Sequence, residues 1–447
     1  MPGPTLSGED YEALANEEPG DPAADLTGGP AVGGVQGGDA AGGPGRRSVP
    51  ARATQPGRGL TAYLWHPRPD AWGKALIASA CFLLAASSTG RFGAWNRFAV
   101  LWLVLELLIY PARYQWNDIR GIDADQAHAE RGARSRLPVG TTAQARRRSI
   151  GLSRLTAAAR ILAALLIGVL AGLGRPVLVL AGSVFVIATL YEWLRAPRSQ
   201  SWRRSRVIAV WLVVGLGYVV RGGLGLSTAG LAWTSPAMAA GLVCAGSFGI
   251  MFVLLTWALE AASYCAADAD GGWHARAEVA AKPHLAALLP YLGRPVAADG
   301  VPAGQGQYCG TDQVLRERGR RSAPWNLALL AAVVSGAAEG VLLARPDGGG
   351  TGALLAAVAV SAAGAALLAG CRSSPGRWVI TVACAPALVA AAALLARPAL
   401  PILVAAPWLA IAGVYSAFRD WSYHDLVSAG PRLAAALRKV LGHLPCA

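Results

Sequence analysis

The sequence predicts an all-α membrane protein, a polytopic helical bundle of nine or ten transmembrane helices behind a disordered N-terminal tail. Three observations carry this. Of 447 residues, 54% are hydrophobic and 15% charged, against roughly 25% charged in an ordinary soluble protein. The apolar residues come in runs of the length a helix needs to cross a bilayer, about 20 residues. The arginines collect in alternate connections between those runs, as the positive-inside rule requires. A mean hydropathy of +0.40 excludes disorder over most of the chain and leaves too little polar surface for a soluble enzyme. The cationic excess, 40 Lys and Arg against 26 Asp and Glu with a net charge of +14, fits membrane lipid and a cytoplasmic face rather than nucleic acid.

Residues 1–72 are Gly-, Pro- and Ala-rich with acidic residues at the start (Glu9, Asp10, Glu12, Glu17, Glu18). They are expected to be a disordered tail outside the fold. The membrane domain then covers residues 73–420. Its ten apolar runs are 74–90, 95–113, 155–173, 176–195, 206–226, 235–259, 325–345, 351–371, 377–396 and 400–418. Only Arg397-Pro398-Ala399 separates the last two, which form a tight hairpin or include one that does not span fully. Basic residues crowd the connections after runs two, four and six. That alternation places both termini in the cytoplasm of a multi-pass cell-membrane protein. Residues 421–447 are expected to form a cytoplasmic amphipathic segment, with Leu433, Leu437 and Val440 at helical spacing. The seven scattered cysteines include no C-x-x-C pair and are expected to be reduced.

Two long cytoplasmic segments open with acidic residues. The first runs Asn117-Asp118-Ile119-Arg120-Gly121-Ile122-Asp123-Ala124-Asp125. If run two continues through it as helix, at about 100° per residue, Asn117, Asp118 and Asp125 share one narrow face and Asp123 points away. Two carboxylates and an amide there suit Mg²⁺, which keeps waters and completes its shell with substrate phosphates. The second segment places Glu260, Tyr264 and Asp268 at i, i+4 and i+8, with Asp270 off that face and Gly271-Gly272 ending the helix. Arg136 follows the first segment and Lys282 the second. Two acidic ends backed by cations would clamp a diphosphate through Mg²⁺, the charge neutralisation that ionising a C–O bond to diphosphate requires. The spacing of two runs, a motif, four runs and a second motif suggests an internal duplication.

Asn117-Asp118 through Asp123 and Asp125, followed by Arg136-Leu137-Pro138-Val139-Gly140, resembles the first signature of the UbiA-type intramembrane prenyltransferases. Tyr191-Glu192-Trp193-Leu194-Arg195 and Gly217-Tyr218-Val219-Val220-Arg221 are similar to two smaller family features. The resemblance covers roughly residues 60–420. It implies a helical bundle around a central cavity, with Mg²⁺ held by Asp118, Asp125, Glu260, Asp268 and Asp270. Asp118, Asp125 and Asp268 would be catalytic, and Asn117, Arg136, Tyr191, Arg221, Tyr264 and Lys282 would bind substrate. The implied reaction moves a prenyl group from an isoprenoid diphosphate to an aromatic or other small acceptor. The order of residues from Asn117 to His128 looks closest to the decaprenyl-phosphate phosphoribosyltransferase-like branch, which uses a polyprenyl phosphate; another branch cyclises prenyl diphosphates. Gly121 stands where the family pattern has its middle Asp, and the second motif lacks the D-x-x-x-D form. These departures keep a non-catalytic lipid-binding member in view. A transporter is the remaining alternative, disfavoured because the acids sit at helix ends rather than at the midplane.

Arg221 lies within an apolar run and is a candidate ligand for a substrate anion or a partner for Glu106. Glu192 and Glu339 are expected to be structural. His128 and His284 follow the two motifs and are expected to be solvated loop residues.

Overall fold

The computed structural model describes residues 59–68, 72–126, 136–140, 142–196, 204–267, 273–275, 279, 282–292, 322–344, 351–393, 401–421 and 426. Each of the ten apolar runs carries a helix among its described residues. A short helix α1 (Leu60–Trp65) precedes α2 (Trp72–Thr89). Helix α3 (Phe92–Arg120) opens with a 3₁₀ turn, passes through a π-helical turn at Val104–Ile109 and ends in the first acidic segment. Helix α4 (Ile122–Gln126) follows after a break at Gly121. Then come α5 (Ala143–Leu170), α6 (Gly174–Arg195), α7 (Arg204–Thr228) and α8 (Pro236–Ala262). Strands β1 (Cys265–Ala267) and β2 (Trp273–Ala275) pair antiparallel, with Cys265 opposite Ala275. The rest is α9 (Pro283–Ala286), a 3₁₀ turn at Leu289–Tyr291, α10 (Pro324–Ala344), α11 (Thr351–Gly370), α12 (Ser374–Ala393) and α13 (Pro401–Phe418).

Eight of these helices are long and apolar enough to cross a membrane: α3, α5, α6, α7, α8, α10, α11 and α12. The apolar stretches of α2 and α13, Gly73–Thr89 and Ile402–Phe418, are shorter. The chain is therefore a multi-pass membrane protein by helix length and composition. Its outward surface supports this: Leu155, Leu162, Leu166, Val169 and Leu170 of α5 and Leu178, Val179 and Val186 of α6 are exposed, as lipid-facing side chains are.

Helix α8 packs between α7 and α10, and α7 against α2. One apolar core gathers around Met251, Leu254 and Leu255 of α8, Leu329 and Ala332 of α10, and Trp408 and Tyr415 of α13. A second gathers around Phe82 of α2, Phe98 and Leu105 of α3, and Leu226 of α7. In lipid the driving force for helix association is close packing, and small residues permit it. At Gly225 of α7 a Cβ would lie 2.7 Å from the Phe82 backbone nitrogen; at Gly340 of α10 it would lie 2.7 Å from Val404 Cα.

Three expectations need correction. Residues 60–65, read as tail, form helix α1, with Tyr63 fully buried; residues 1–58 lie outside the described residues. Helix α8 stops at Ala262 and the chain turns into β1, so no continuous helix links Glu260 to Asp268. The local cause is at the helix end: Ser263 Oγ donates to the Glu260 carbonyl at 2.6 Å, and the backbone NH of Tyr264 donates to Ala261. Helix α3 does not run on unbroken through the first motif, because Gly121 caps it. The five described cysteines, Cys81, Cys244, Cys265, Cys371 and Cys384, are free thiols.

Candidate functional site

The C-terminal turns of α3, α6 and α8 surround a pocket of about 500 Å³. Among the described residues, eight cationic side chains line it: Arg68, Lys74, Arg113, Arg120, Arg136, Arg195, Arg221 and Lys282. Three carboxylates face them, Asp125, Glu192 and Glu260. The remaining walls are apolar or aromatic, including Val184, Ile187, Val213, Val253, Tyr110, Tyr114, Tyr191 and Trp257. Such a pocket is amphipathic, with concentrated positive charge beside an oily lining.

The first acidic segment divides between two surroundings. Asn117 and Asp125 line the pocket. Asp125 pairs with Arg136 Nε at 3.3 Å. The Asn117 amide, in the orientation that satisfies both neighbours, donates to Glu192 Oε1 at 2.6 Å and accepts from Arg68 Nη2 at 3.3 Å. Asp118 is not among the lining residues; its side chain is fully buried. Tyr63 donates to Asp118 Oδ2 at 3.1 Å, and Arg68 pairs with Oδ1. Burial, and then the adjacent carboxylate, push the Tyr63 hydroxyl well above its ordinary range, so it remains a donor. Asp123 points away, as its helical position predicts, and pairs at the surface with Arg146 at 2.6 Å.

The second segment is gathered by a lysine. Lys282 Nζ donates to Glu260 Oε1 at 3.1 Å and to the Tyr264 hydroxyl at 2.7 Å. Glu260 and Lys282 line the pocket, while Tyr264 supports them from behind. Asp268 and Asp270 lie outside the described residues, as does His128.

Deeper in, Arg221 sits seventeen residues into α7, about 25 Å along its axis. Its Nε and Nη2 meet Glu106 Oε1 and Oε2 at 2.7 and 2.9 Å, with both side chains almost wholly buried. The guanidinium also lies 3.6 Å from the Tyr110 ring centroid. Glu106 belongs to the π-helical turn of α3, a widened turn of the kind found at functional sites. Arg221 is thus both a pocket residue and the partner of Glu106.

Several pocket residues escaped the sequence reading. Arg68 lies in the segment read as tail. Arg113 and Arg120 sit in the last turns of α3; charged residues closing apolar helices were the available signal. Glu192, expected to be structural, and Arg195, quoted only as part of a family feature, close α6 and line the pocket. His284 is buried in the pocket wall, its ring edge-on to Trp257 with centroids 4.7 Å apart and its carbonyl accepting from Trp211 at 3.2 Å. That corrects the expectation of a solvated loop histidine. Burial, then the nearby Arg195 and Lys282 cations, lower its pKa to about 3. The imidazole is therefore neutral at pH 7. Between about 6.5, the unfolded value, and 3 the unfolded chain binds the extra proton, so stability falls as pH falls through that window. Acidification from pH 7 to 5 is expected to cost about 2 kcal/mol through this group alone. His284→Gln should flatten the slope of thermal stability against pH over that range; an unchanged slope would refute the assignment.

Among the described residues no group of three or more His, Cys, Asp or Glu side chains is placed to hold a metal by itself. Asp125 and Glu260 remain partly accessible within the pocket, their side chains 18% and 14% exposed. One or two such carboxylates fit an ion that keeps waters and is otherwise held by phosphate oxygens, which is how Mg²⁺ is commonly bound. No family model, curated protein or solved structure matches the chain.

Proposed function

We propose that the protein is an integral-membrane, Mg²⁺-dependent transferase of the UbiA type acting on an isoprenoid diphosphate. The observation that carries this reading is the pocket's charge: eight cations against three lining carboxylates, five when Asp118 behind Arg68 and Glu106 behind Arg221 are counted, beside an apolar wall. A membrane protein keeps buried charge only where it is paired or used, and this excess suits a polyanionic head on an oily tail. All ten apolar helices cross the bilayer in this reading, with both termini and the pocket mouth on the cytoplasmic side, where the basic connections lie.

Lys282, Arg136 and Arg195 bind the diphosphate oxygens, and Asn117 and Tyr191 shape the space around them. Val184, Ile187 and Val213 accept the first isoprene units. When bound, Mg²⁺ would be held by Asp125, by Glu260 and by the substrate's own phosphates, with Asp268 and Asp270 as further candidates, and would neutralise the charge that develops on the leaving group. The cations around it stabilise that charge without having to reorganise. The aromatic and aliphatic walls keep water from the electrophilic carbon until the small acceptor attacks. A second reading, transfer of phosphoribose to a polyprenyl phosphate, is favoured by the Asn117-to-His128 sequence and would use the same cations for two phosphorylated substrates.

The test is diphosphate release by purified protein in detergent. Isoprenoid diphosphates of several lengths are offered in one series, and phosphoribosyl diphosphate with polyprenyl phosphate in another. Each is run with Mg²⁺ or chelator, and with membrane extract as a source of acceptor. Mg²⁺-dependent release is expected, with Lys282→Gln raising the KM for the donor about tenfold or more, the cost of one charge-assisted contact of about 1.5–3 kcal/mol. The donor that works chooses between the two reactions. Release from no donor by folded protein would replace the enzyme with a lipid-binding member of the same fold.

A further inference from the structure

The segment before the first membrane helix is built into the pocket. Tyr63, Ile122 and Leu137 form a small buried cluster, packed by Leu60, Leu64, Ile119, Val139 and Ile150. This cluster ties α1 to the end of α3 and to the strand of chain that carries Arg136. Arg160 of α5 fixes it from the other side, donating to the carbonyls of Leu64 at 2.6 Å and Trp65 at 2.7 Å and to Gln115 Oε1 at 2.5 Å. The segment so held carries Arg68, whose guanidinium lies 5.0 Å from the Tyr114 ring centroid. Arg68 lines the pocket and keeps 15% of its side chain exposed; Asp118 keeps none.

We propose, resting on the diphosphate reading above, that this N-terminal segment completes the anion site by supplying Arg68 as a phosphate ligand, and that Asp118 positions that arginine instead of binding metal.

The geometry favours this division of labour. A carboxylate that ligates an ion shared with substrate must present an oxygen to the pocket. Both Asp118 oxygens are engaged by Tyr63 and Arg68, and the side chain is sealed. A sealed carboxylate without a cation is costly, so Asp118 and Arg68 require each other. Their pairing, with Asn117 and the Tyr114 face, fixes a guanidinium at the pocket edge. An arginine already ordered in this way loses less freedom on binding a phosphate. The first acid of the motif thus serves a cation, and Asp125 is the carboxylate left to face the substrate.

The experiment measures binding of inorganic diphosphate to the full chain in detergent, in chelator and then across a Mg²⁺ titration. Removing Arg68 alone would strand a buried carboxylate and risks misfolding, so the Arg68→Gln/Asp118→Asn double variant is compared with Asp118→Asn, with Arg68→Lys and with Lys282→Gln. In chelator the double variant should bind at least tenfold more weakly than wild type. Asp118→Asn should bind several-fold more weakly, and Arg68→Lys should fall between double variant and wild type. The Mg²⁺ concentration for half-maximal binding should be the same in Asp118→Asn as in wild type. Wild-type affinity in the double variant would overturn Arg68 as a ligand. Unchanged metal-free affinity with a raised Mg²⁺ requirement in Asp118→Asn would return Asp118 to the metal. If Lys282→Gln loses binding while the double variant does not, the inference falls and the diphosphate reading stands. If wild type binds no diphosphate, the reading falls and takes the inference with it.

Discussion

Glu106→Ala is expected to destabilise the protein by about 3–5 kcal/mol, the cost of removing one partner from a buried ion pair. The side chain is 4% exposed and holds two edges of the Arg221 guanidinium. Without it, Arg221 keeps a hydrogen bond to the Gly217 carbonyl at 3.3 Å and its place over Tyr110. Neither supplies a negative charge. An arginine deep in the bundle, on a pocket wall already rich in cations, is then left without its counter-charge. The double variant Glu106→Ala/Arg221→Met removes both charges and should recover most of the loss, because replacing a whole buried pair by apolar groups is often neutral. Thermal unfolding in detergent, done as a double-mutant cycle, measures the coupling. A single variant within about 0.5 kcal/mol of wild type would mean that Arg221 is solvated through the pocket.

Gly340→Ala is expected to cost about 3 kcal/mol or more, at the upper end of what overpacking a tight interface costs. The added methyl would meet backbone atoms of α13, the Leu403 carbonyl and Val404 Cα. Backbone cannot rotate aside as a side chain can, so α10 and α13 must separate. That opens the core around Trp408 and Ala332. The same substitution at Gly182, mid-way along α6, meets nothing within 4 Å. There it should stabilise by up to about 1 kcal/mol, the helix-propensity advantage of alanine over glycine. Opposite signs for one chemical change would show that contact geometry, not glycine content, sets the packing. Equal effects at the two sites would refute the close approach.

Much of the helix plan was legible in the sequence because lipid imposes a single rule. Backbone groups have no water to bond in the hydrocarbon, so a run of about 20 apolar residues is helical wherever it falls. Each of the ten runs carries a helix among its described residues, although two of those helices are short for a crossing. The acidic segments were less legible. Helical periodicity grouped Asn117, Asp118 and Asp125 on one arc, and two of the three line the pocket. Asp118 does not, because at the edge of an arc the choice of surroundings belongs to whichever neighbour packs there, and that neighbour is α1. Projecting a continuous helix from Glu260 to Asp268 failed at Ala262, since a polar segment outside the bilayer is free to turn. Lys282 still meets Glu260 and Tyr264, across a separation in sequence that no periodicity describes.

By itself the sequence determined that this is a multi-pass helical membrane protein, where its apolar helices run, and that acids and cations cluster beyond the same helix ends. Composition and run length decide these matters, because desolvating a backbone in lipid outweighs every local preference. Only the tertiary structure decided that Arg221 belongs to Glu106, that His284 is sealed against Trp257, and that a helix before the membrane domain brings Tyr63 and Arg68 to Asp118. Those pairings join residues 27 to 115 positions apart. They follow from which helix ends come together, a property of the packed bundle that a one-dimensional pattern of charge and hydropathy does not contain.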